Sequence, residues 1–247
     1  MTSLRTLFHI SDLHFGAEDR AALDWFAAIV ADERPDGIIC TGDLTMRGTT
    51  REFAKAAQWL DALPVPVSVE PGNHDMPYYW ELITRLRRPF HRFNAFARNA
   101  HSDLAVDGVA LVSLPTVRPA QWRLNWSKGH INQRLLGDAV ASLHAAPAGG
   151  VRLVACHHPL VEANTHGTAS TRGGKQALVA LAKAGAHAVL TGHVHDPFDL
   201  TVDAGGLAIR MIGAGTLSER LRSTAPSFNV LTIGDGRLDV AVRKYQG

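Results

Sequence analysis

Residues 67–75 read Val-Ser-Val-Glu-Pro-Gly-Asn-His-Asp. Alternation over residues 65–69 marks a short strand, and Pro71-Gly72-Asn73 is turn chemistry that stops it. Asn73, His74 and Asp75 therefore fall where a strand ends and the chain turns. In an α/β chain, sites are assembled at the carboxyl ends of strands. Taken alone, this stretch reads equally as an ordinary polar loop. What decides the fold is whether the other strands end the same way.

They do. Upstream, residues 5–10 form an apolar strand ending in Ser11-Asp12-Leu13-His14, and residues 37–41 a second, ending in Gly42-Asp43-Leu44. Asp12 and His14 are two apart, so extended backbone points both to one side. Between these strands, residues 20–34 carry Leu23, Phe26, Ala27, Val30 and Ala31 at helical spacing, and Pro35-Asp36-Gly37 ends the run. Residues 51–63 form the next helix, with Thr50 as its cap. Strand, helix, strand, helix, strand implies parallel βαβ units with right-handed crossovers. Downstream come a strand at 108–114, a helix at 132–145, a strand at 151–156 ending in His157-His158-Pro159, and a helix at 175–184. A strand at 188–190 ends in Thr191-Gly192-His193-Val194-His195-Asp196. Beyond residue 200 the pattern alternates around two hairpin turns, Gly205-Gly206 and Asp235-Gly236. This tail reads as antiparallel and predicts a second sheet packed on the first. No linker, repeat or low-complexity segment divides residues 1–247, so a single domain is expected.

Three segments lie outside that rhythm. Residues 76–103 hold Tyr78, Tyr79, Trp80, Arg85, Arg87, Arg88, His91, Arg92 and Phe93. This basic, aromatic helical excursion reads either as a solvated helix with its aromatics turned inward or as a cap-like lid over an anionic substrate, with Arg87 a contact. The loop at 115–128 offers Trp122, Arg123, Asn125 and Trp126 as pocket walls, Trp122 or Trp126 being the candidate grip on a base. The loop at 160–174 offers Asn164, His166 and Arg172, with His166 the candidate substrate contact.

Composition narrows the class. With 46% hydrophobic and 19% charged residues over 247 positions, the chain is an ordinary globular protein. A net charge of +2 without a basic tail argues against a nucleic-acid partner. Thirteen histidines point to metal or proton chemistry. Cys40 and Cys156 sit in apolar runs and read as buried strand residues, with no disulfide framework. The first residues run directly into a strand without the apolar core of a signal peptide. No apolar run is long enough to span a bilayer, so a cytoplasmic protein is expected.

Collected from the strand ends, Asp12, His14, Asp43, Asn73, His157, His193 and His195 are seven candidate metal ligands. That exceeds the three or four protein ligands of one site. Two ions about 3.5–4 Å apart would use them all if one carboxylate bridged. The mixed nitrogen and oxygen set suits Mn, Fe, Zn, Co or Ni better than Ca or Mg. The absence of cysteine from it argues against structural zinc.

The runs Asp12-Leu13-His14, Gly42-Asp43, Gly72-Asn73-His74-Asp75, His157-His158-Pro159 and Gly192-His193-Val194-His195 resemble, in order, those of the calcineurin-like metallophosphoesterases. The contexts Gly42-Asp43-Leu44-Thr45 and His157-His158-Pro159-Leu160 look most like the bacterial cyclic-nucleotide phosphodiesterase branch. The resemblance implies a four-layer αββα sandwich of two mixed sheets. It implies one metal on Asp12, His14, Asp43 and His195, and a second on Asp43, Asn73, His157 and His193. It places His74 against the phosphate and leaving group, with Asp75 fixing its tautomer, and leaves His158 beside the ligands either as a residue that supports them from behind or as a substrate contact. The implied activity is a dinuclear-metal phosphodiesterase, a hydrolase using a metal-bridging hydroxide on a small substrate such as a cyclic nucleotide. The alternatives are cleavage of a lipid-linked nucleotide sugar or a glycerophosphodiester, or a metal-free binding scaffold on the same fold. The exposed aromatics at 78–80 also suit a homodimer.

Overall fold

The structure is a computed structural model and describes residues 4–100, 104–120, 125–168 and 171–247. Two five-stranded mixed sheets face each other, with helices outside both. The first sheet has the order β10-β9-β1-β2-β3, formed by β1 (Arg5–Ile10), β2 (Gly37–Cys40), β3 (Val67–Val69), β9 (Ser227–Gly234) and β10 (Arg237–Lys244). The second has the order β4-β5-β6-β8-β7, formed by β4 (Val109–Ser113), β5 (Val151–Ala155), β6 (Ala188–Thr191), β7 (Phe198–Asp203) and β8 (Ala208–Gly213).

Strand residues point alternately to opposite faces, and this sorts the core into three bodies. Leu7, Ile39, Leu153, Leu190 and Leu231 meet between the sheets. Phe8, Ile10, Ile38 and Cys40 face outward onto α1 (Arg20–Glu33), α2 (Thr50–Asp61) and α4 (His91–Ala100). On the far side, Val154, Cys156 and Val189 face α5 (Gln133–Ala145) and α6 (Gly174–Lys183). Both strand faces are thus covered, which is why β2 (Gly-Ile-Ile-Cys) is apolar throughout and β6 (Ala-Val-Leu-Thr) nearly so. Cys40 and Cys156 are buried free thiols. No helix among the described residues is long and apolar enough to cross a membrane.

Two sequence expectations need correction. The cap of α2 is Thr49 rather than Thr50. Its side chain accepts from Glu52 N, and Glu52 reciprocates to Thr49 N at 3.1 Å, closing a capping box. The antiparallel tail does not build the second sheet; its hairpins divide. β7–β8 extends the second sheet, with β8 parallel to β6. β9–β10 joins the first sheet, where β9 pairs with β1. The reason is burial: β9 is covered along most of its length and needs a partner on each edge, whereas β10 alternates and suits the rim.

The excursion is half built into the fold. A 3-10 turn (Tyr79–Glu81) leads into the short α3 (Leu82–Arg87), followed by α4. Phe93 and Phe96 of α4 pack on Phe53 of α2, with ring centroids 6.5 and 5.7 Å away. Arg85 is buried and donates to the carbonyls of Pro77 and Pro119. Arg92 pairs with both oxygens of Glu81.

One buried acid gives the fold a pH signature. Glu70 follows β3, accepts a hydrogen bond from Ser113, and is pushed up by burial to about 8. Its folded value lies above its unfolded one, so the stability it contributes is complete below the unfolded value and is lost as pH rises toward 8. Glu70→Gln should therefore melt at least ~2–4 °C higher than the parent at pH 8, with the gain vanishing near pH 4. Thermal melts at the two pH values check this.

Candidate active site

All seven donors sit on loops leaving the carboxyl ends of β1, β2, β3, β5 and β6. Both sheets present those ends on one side of the molecule. The loops are laced together by backbone: Asp12 N donates to Gly42 O at 2.9 Å, His14 N to Asp43 O at 3.0 Å, and Gly192 N to His157 O at 2.9 Å.

Asp12 and His14 do face one site, but extended backbone is not the cause. Both are left-handed, at φ 56° and 46°, as are Asp43 (54°), His193 (69°) and His195 (63°). For non-glycine residues this costs about 1–2 kcal/mol each. Five such residues at one point mean that the surrounding hydrogen bonds and packing hold them there. Glycine permits the close approach. A Cβ on Gly72 would lie 2.1 Å from Asp43 Oδ1, and one on Gly192 would lie 1.8 Å from Ser11 Oγ.

The donors converge in two groups. His195 Nε2 lies 3.2 Å and His14 Nε2 3.6 Å from Asp12 Oδ1, and the two Nε2 atoms are 3.3 Å apart. His157 Nε2 lies 3.3 Å from Asp43 Oδ2 and 3.2 Å from Asn73 Oδ1. Asp43 Oδ2 is also 3.9 Å from His14, so this carboxylate stands between the groups. His193 offers a ring nitrogen within 4.8 Å of one on His157.

Three rings are fixed from behind. Nδ1 of His14, His157 and His195 each faces a carbonyl, of Thr45, Thr41 and Arg220 respectively, so Nδ1 donates and the Nε2 lone pair turns inward. Asp12 Oδ1 is buried and has no hydrogen-bond donor, while its Oδ2 accepts from His193 N at 2.8 Å. Lone pairs aimed at one another around an orphaned carboxylate oxygen are unfavourable unless a cation sits among them. This donor set fits a pair of divalent ions.

The proton feels the same field. For Asp12, burial favours the neutral acid, but His195 and His14 overcome it and hold the carboxyl well below its usual range. Burial lowers His14 to about 4, which leaves its lone pair available. Burial also works against a charged His157, yet the Asp43 carboxylate beside it lifts that ring to about 9.

Other sequence candidates are placed differently. His158 is buried and has both ring nitrogens engaged: Nε2 faces Ser127 O at 2.7 Å and Nδ1 faces Thr116 Oγ1 at 2.9 Å. It holds the loop at 125–128 and has no group left for a substrate. Asp75 does not touch the His74 ring. Its carboxylate accepts from Leu44 N, Thr45 N, Thr45 Oγ1 and Gly72 N, tying the Asp43 loop to the Asn73 turn. The His74 tautomer is set by Met46 O, which accepts from Nδ1 at 2.7 Å. Arg87 is exposed on α3, and Trp126 rests on Tyr79 at 6.1 Å; neither lines the cavity over the donors. Trp122 and Arg123 lie outside the described residues.

That cavity, about 270 Å³, is lined by Asp43, Asn73, His74, His193, His195 and the predicted His166, and by Asn125, Ser127, Lys128, Thr168, Arg220 and Arg222. Arg220 is the main residue that sequence reading missed. Its Nη1 lies 3.0 Å from His74 Nε2 and 3.2 Å from His14 Nε2, and its carbonyl orients His195. The loop that carries it follows β8. Because β8 runs parallel to β6, that loop emerges on the site's edge. Applying the strand-end rule to β8 was the available signal.

The family profile described as "Calcineurin-like phosphoesterase" matches residues 5–197. The chain belongs to the calcineurin-like phosphoesterase family. Among curated relatives, a probable cyclic nucleotide phosphodiesterase from Synechococcus sp. is 24% identical over 209 residues, 78% of this chain and 74% of that protein. A probable glycerophosphodiester phosphodiesterase from Arcobacter nitrofigilis is 35% identical over 74 residues, 30% of this chain. That match spans only 25% of the relative's length. In solved structures, the chain resembles a dimetal phosphatase from Danio rerio with TM-score 0.67 and 16% identity, covering 98% and 99% of the two chains. It also resembles the purple acid phosphatase PPD1 of yellow lupin, with TM-score 0.72 and 12% identity, covering 99% of this chain and 52% of that one. These likenesses are of fold, the two-sheet metallophosphoesterase sandwich.

The Gly72 approach is testable in this phosphoesterase. Gly72→Ala should displace the Asp43 carboxylate and weaken Mn binding at least ~10-fold, with an unchanged far-UV circular dichroism spectrum. Calorimetric titration with Mn checks it.

Proposed function

We propose that this calcineurin-like phosphoesterase is a dimetal phosphodiesterase acting on small substrates. The observation that carries the reading is the convergence of seven donors from two sheets in two adjacent groups, one of them around a buried, orphaned carboxylate oxygen of Asp12. Asp12, His14, Asp43 and His195 would hold one ion, and Asp43, Asn73, His157 and His193 the other. When bound, such ions polarise phosphoryl oxygens and let water ionise near neutral pH. Asn73 contributes an uncharged donor, which keeps the site cationic toward an anionic substrate.

The remaining work falls to the cavity wall. His74 turns Nε2 toward the site, with Nδ1 committed to Met46, and so can exchange a proton with the leaving oxygen. Arg220 beside it offers guanidinium donors to phosphoryl oxygens, a geometry that favours charge developing there. Lys128, His166 and Arg222 add positive or donor groups around the mouth.

A cyclic nucleotide is one substrate of the right size, and the Synechococcus relative's name supports testing it. The wall favours a second reading on one ground. Among the described residues it holds no aromatic ring except histidines, so it offers charge and hydroxyl partners rather than a stacking surface for a base. A diester of a polyol, such as a glycerophosphodiester, meets those partners.

The experiment is metal analysis by mass spectrometry followed by hydrolysis of bis-p-nitrophenyl phosphate with added Mn. Cyclic nucleotides, glycerophosphodiesters and lipid-linked nucleotide sugars are then compared. Protein that binds no metal and turns over no diester would leave the binding-scaffold reading in its place. His74→Ala should keep its metal and lose about 10²–10⁴ in kcat; parental turnover would remove His74 from the mechanism. Arg220→Ala should keep its metal and lose roughly 10–100-fold in kcat/KM for a charged diester, measured by steady-state kinetics.

A further inference from the structure

The described chain exposes nine large hydrophobic side chains, and five of them lie within eight residues: Tyr79 (48%), Trp80 (66%), Leu82 (45%), Ile83 (72%) and Leu86 (51%). They occupy the 3-10 turn and α3, the part of the excursion that does not pack on α2. The segment is nevertheless held in place, by Arg85 on the Pro77 and Pro119 carbonyls and by the Arg92–Glu81 pair. Exposed apolar groups of this size on an anchored element mark an interaction surface.

Charge decides what covers it. Residues 76–100 carry Arg85, Arg87, Arg88, Arg92 and Arg98 against one acid, Glu81, which Arg92 already neutralises. Arg87 at the end of α3 and Arg88 just after it are exposed, and Arg47 reaches over the Trp80 ring at 5.8 Å. A second copy of this chain would bring two such arginine groups together. An anionic lipid surface instead takes the apolar side chains into its outer hydrocarbon and the arginines onto its phosphates. Tyr and Trp are the residues that suit the headgroup boundary. A helix of six residues lies in the surface and does not cross it.

We propose that Tyr79–Leu86, flanked by Arg47, Arg87 and Arg88, docks the protein on anionic bilayers. The face adjoins the cavity. Tyr79 rests on Trp126, whose neighbours Asn125 and Ser127 line the wall, and Arg47 follows Met46, which orients His74. Docking there holds the mouth of the site close to the lipid phosphates. The inference stands on the surface alone and does not depend on the proposed chemistry.

The full chain is sedimented with phosphatidylcholine vesicles containing or lacking phosphatidylglycerol. The parent should pellet with the anionic vesicles, not with the neutral ones, and less as salt rises. Ile83→Glu with Leu86→Glu should cut that binding at least tenfold, while melting temperature and hydrolysis of bis-p-nitrophenyl phosphate in solution stay at parental values. Trp80→Ala, a milder change, should weaken binding in the same direction. Arg87→Gln and Arg88→Gln should each weaken it about fivefold. A parent that ignores anionic vesicles, or variants that bind them as the parent does, would overturn the proposal. So would a concentration-dependent dimer, seen by light scattering, that Ile83→Glu with Leu86→Glu dissolves, since the face would then belong to a second copy.

Discussion

The structure depends on one buried meeting, that of the Asp12 and Asp43 carboxylates with imidazoles delivered from the opposite sheet. Neither sheet supplies enough donors alone. The first brings Asp12, His14, Asp43 and Asn73, and the second brings His157, His193 and His195. Their meeting requires the two sheets to pack with their carboxyl strand ends on one side. It also requires the loops there to adopt left-handed backbone at five non-glycine residues. Backbone bonds between loops and the four donors on Asp75 hold that conformation. The apolar layer of Leu7, Ile39, Leu153 and Leu190 serves the site by fixing the sheets against each other.

The electrostatics follow from this placement. An ionised Asp12, a His14 held uncharged by burial and a His157 drawn toward the charged form by Asp43 describe a field that attracts positive charge to two adjacent points. Around them the wall turns cationic, with Arg220, Arg222 and Lys128 among its lining. An electron-rich floor for cations beneath a basic rim for anions is the arrangement that phosphoester cleavage requires.

Most of this was legible in the sequence because strand ends are punctuated. Apolar runs stopped by Gly-Asp, Gly-Asn-His-Asp or Gly-His-Val-His locate both the strands and the donors. Where the reading failed, local pattern was not the deciding force. The tail looked like one antiparallel sheet, but burial of β9 sent its two hairpins to different sheets. Asp75 looked like the partner of His74 because they are neighbours in sequence, yet the nearby amides of two loops claimed its carboxylate. His158 looked available beside a ligand, but Thr116 and Ser127, brought by a distant loop, took both its nitrogens. Arg220 carried no motif, and its importance comes only from the parallel direction of β8.

The placement of β1 has a further effect on how the molecule is made. This first strand is interior to its sheet, with β2 on one edge and β9 on the other, and the two β1 neighbours are separated by most of the chain. During synthesis, the edge of β1 facing β9 stays open until residues 227–234 have left the ribosome, and the buried His9–Asn229 contact cannot form before then. A nascent chain therefore carries Asp12, His14, Asp43 and Asn73 on an incomplete first sheet until the β9–β10 hairpin closes it.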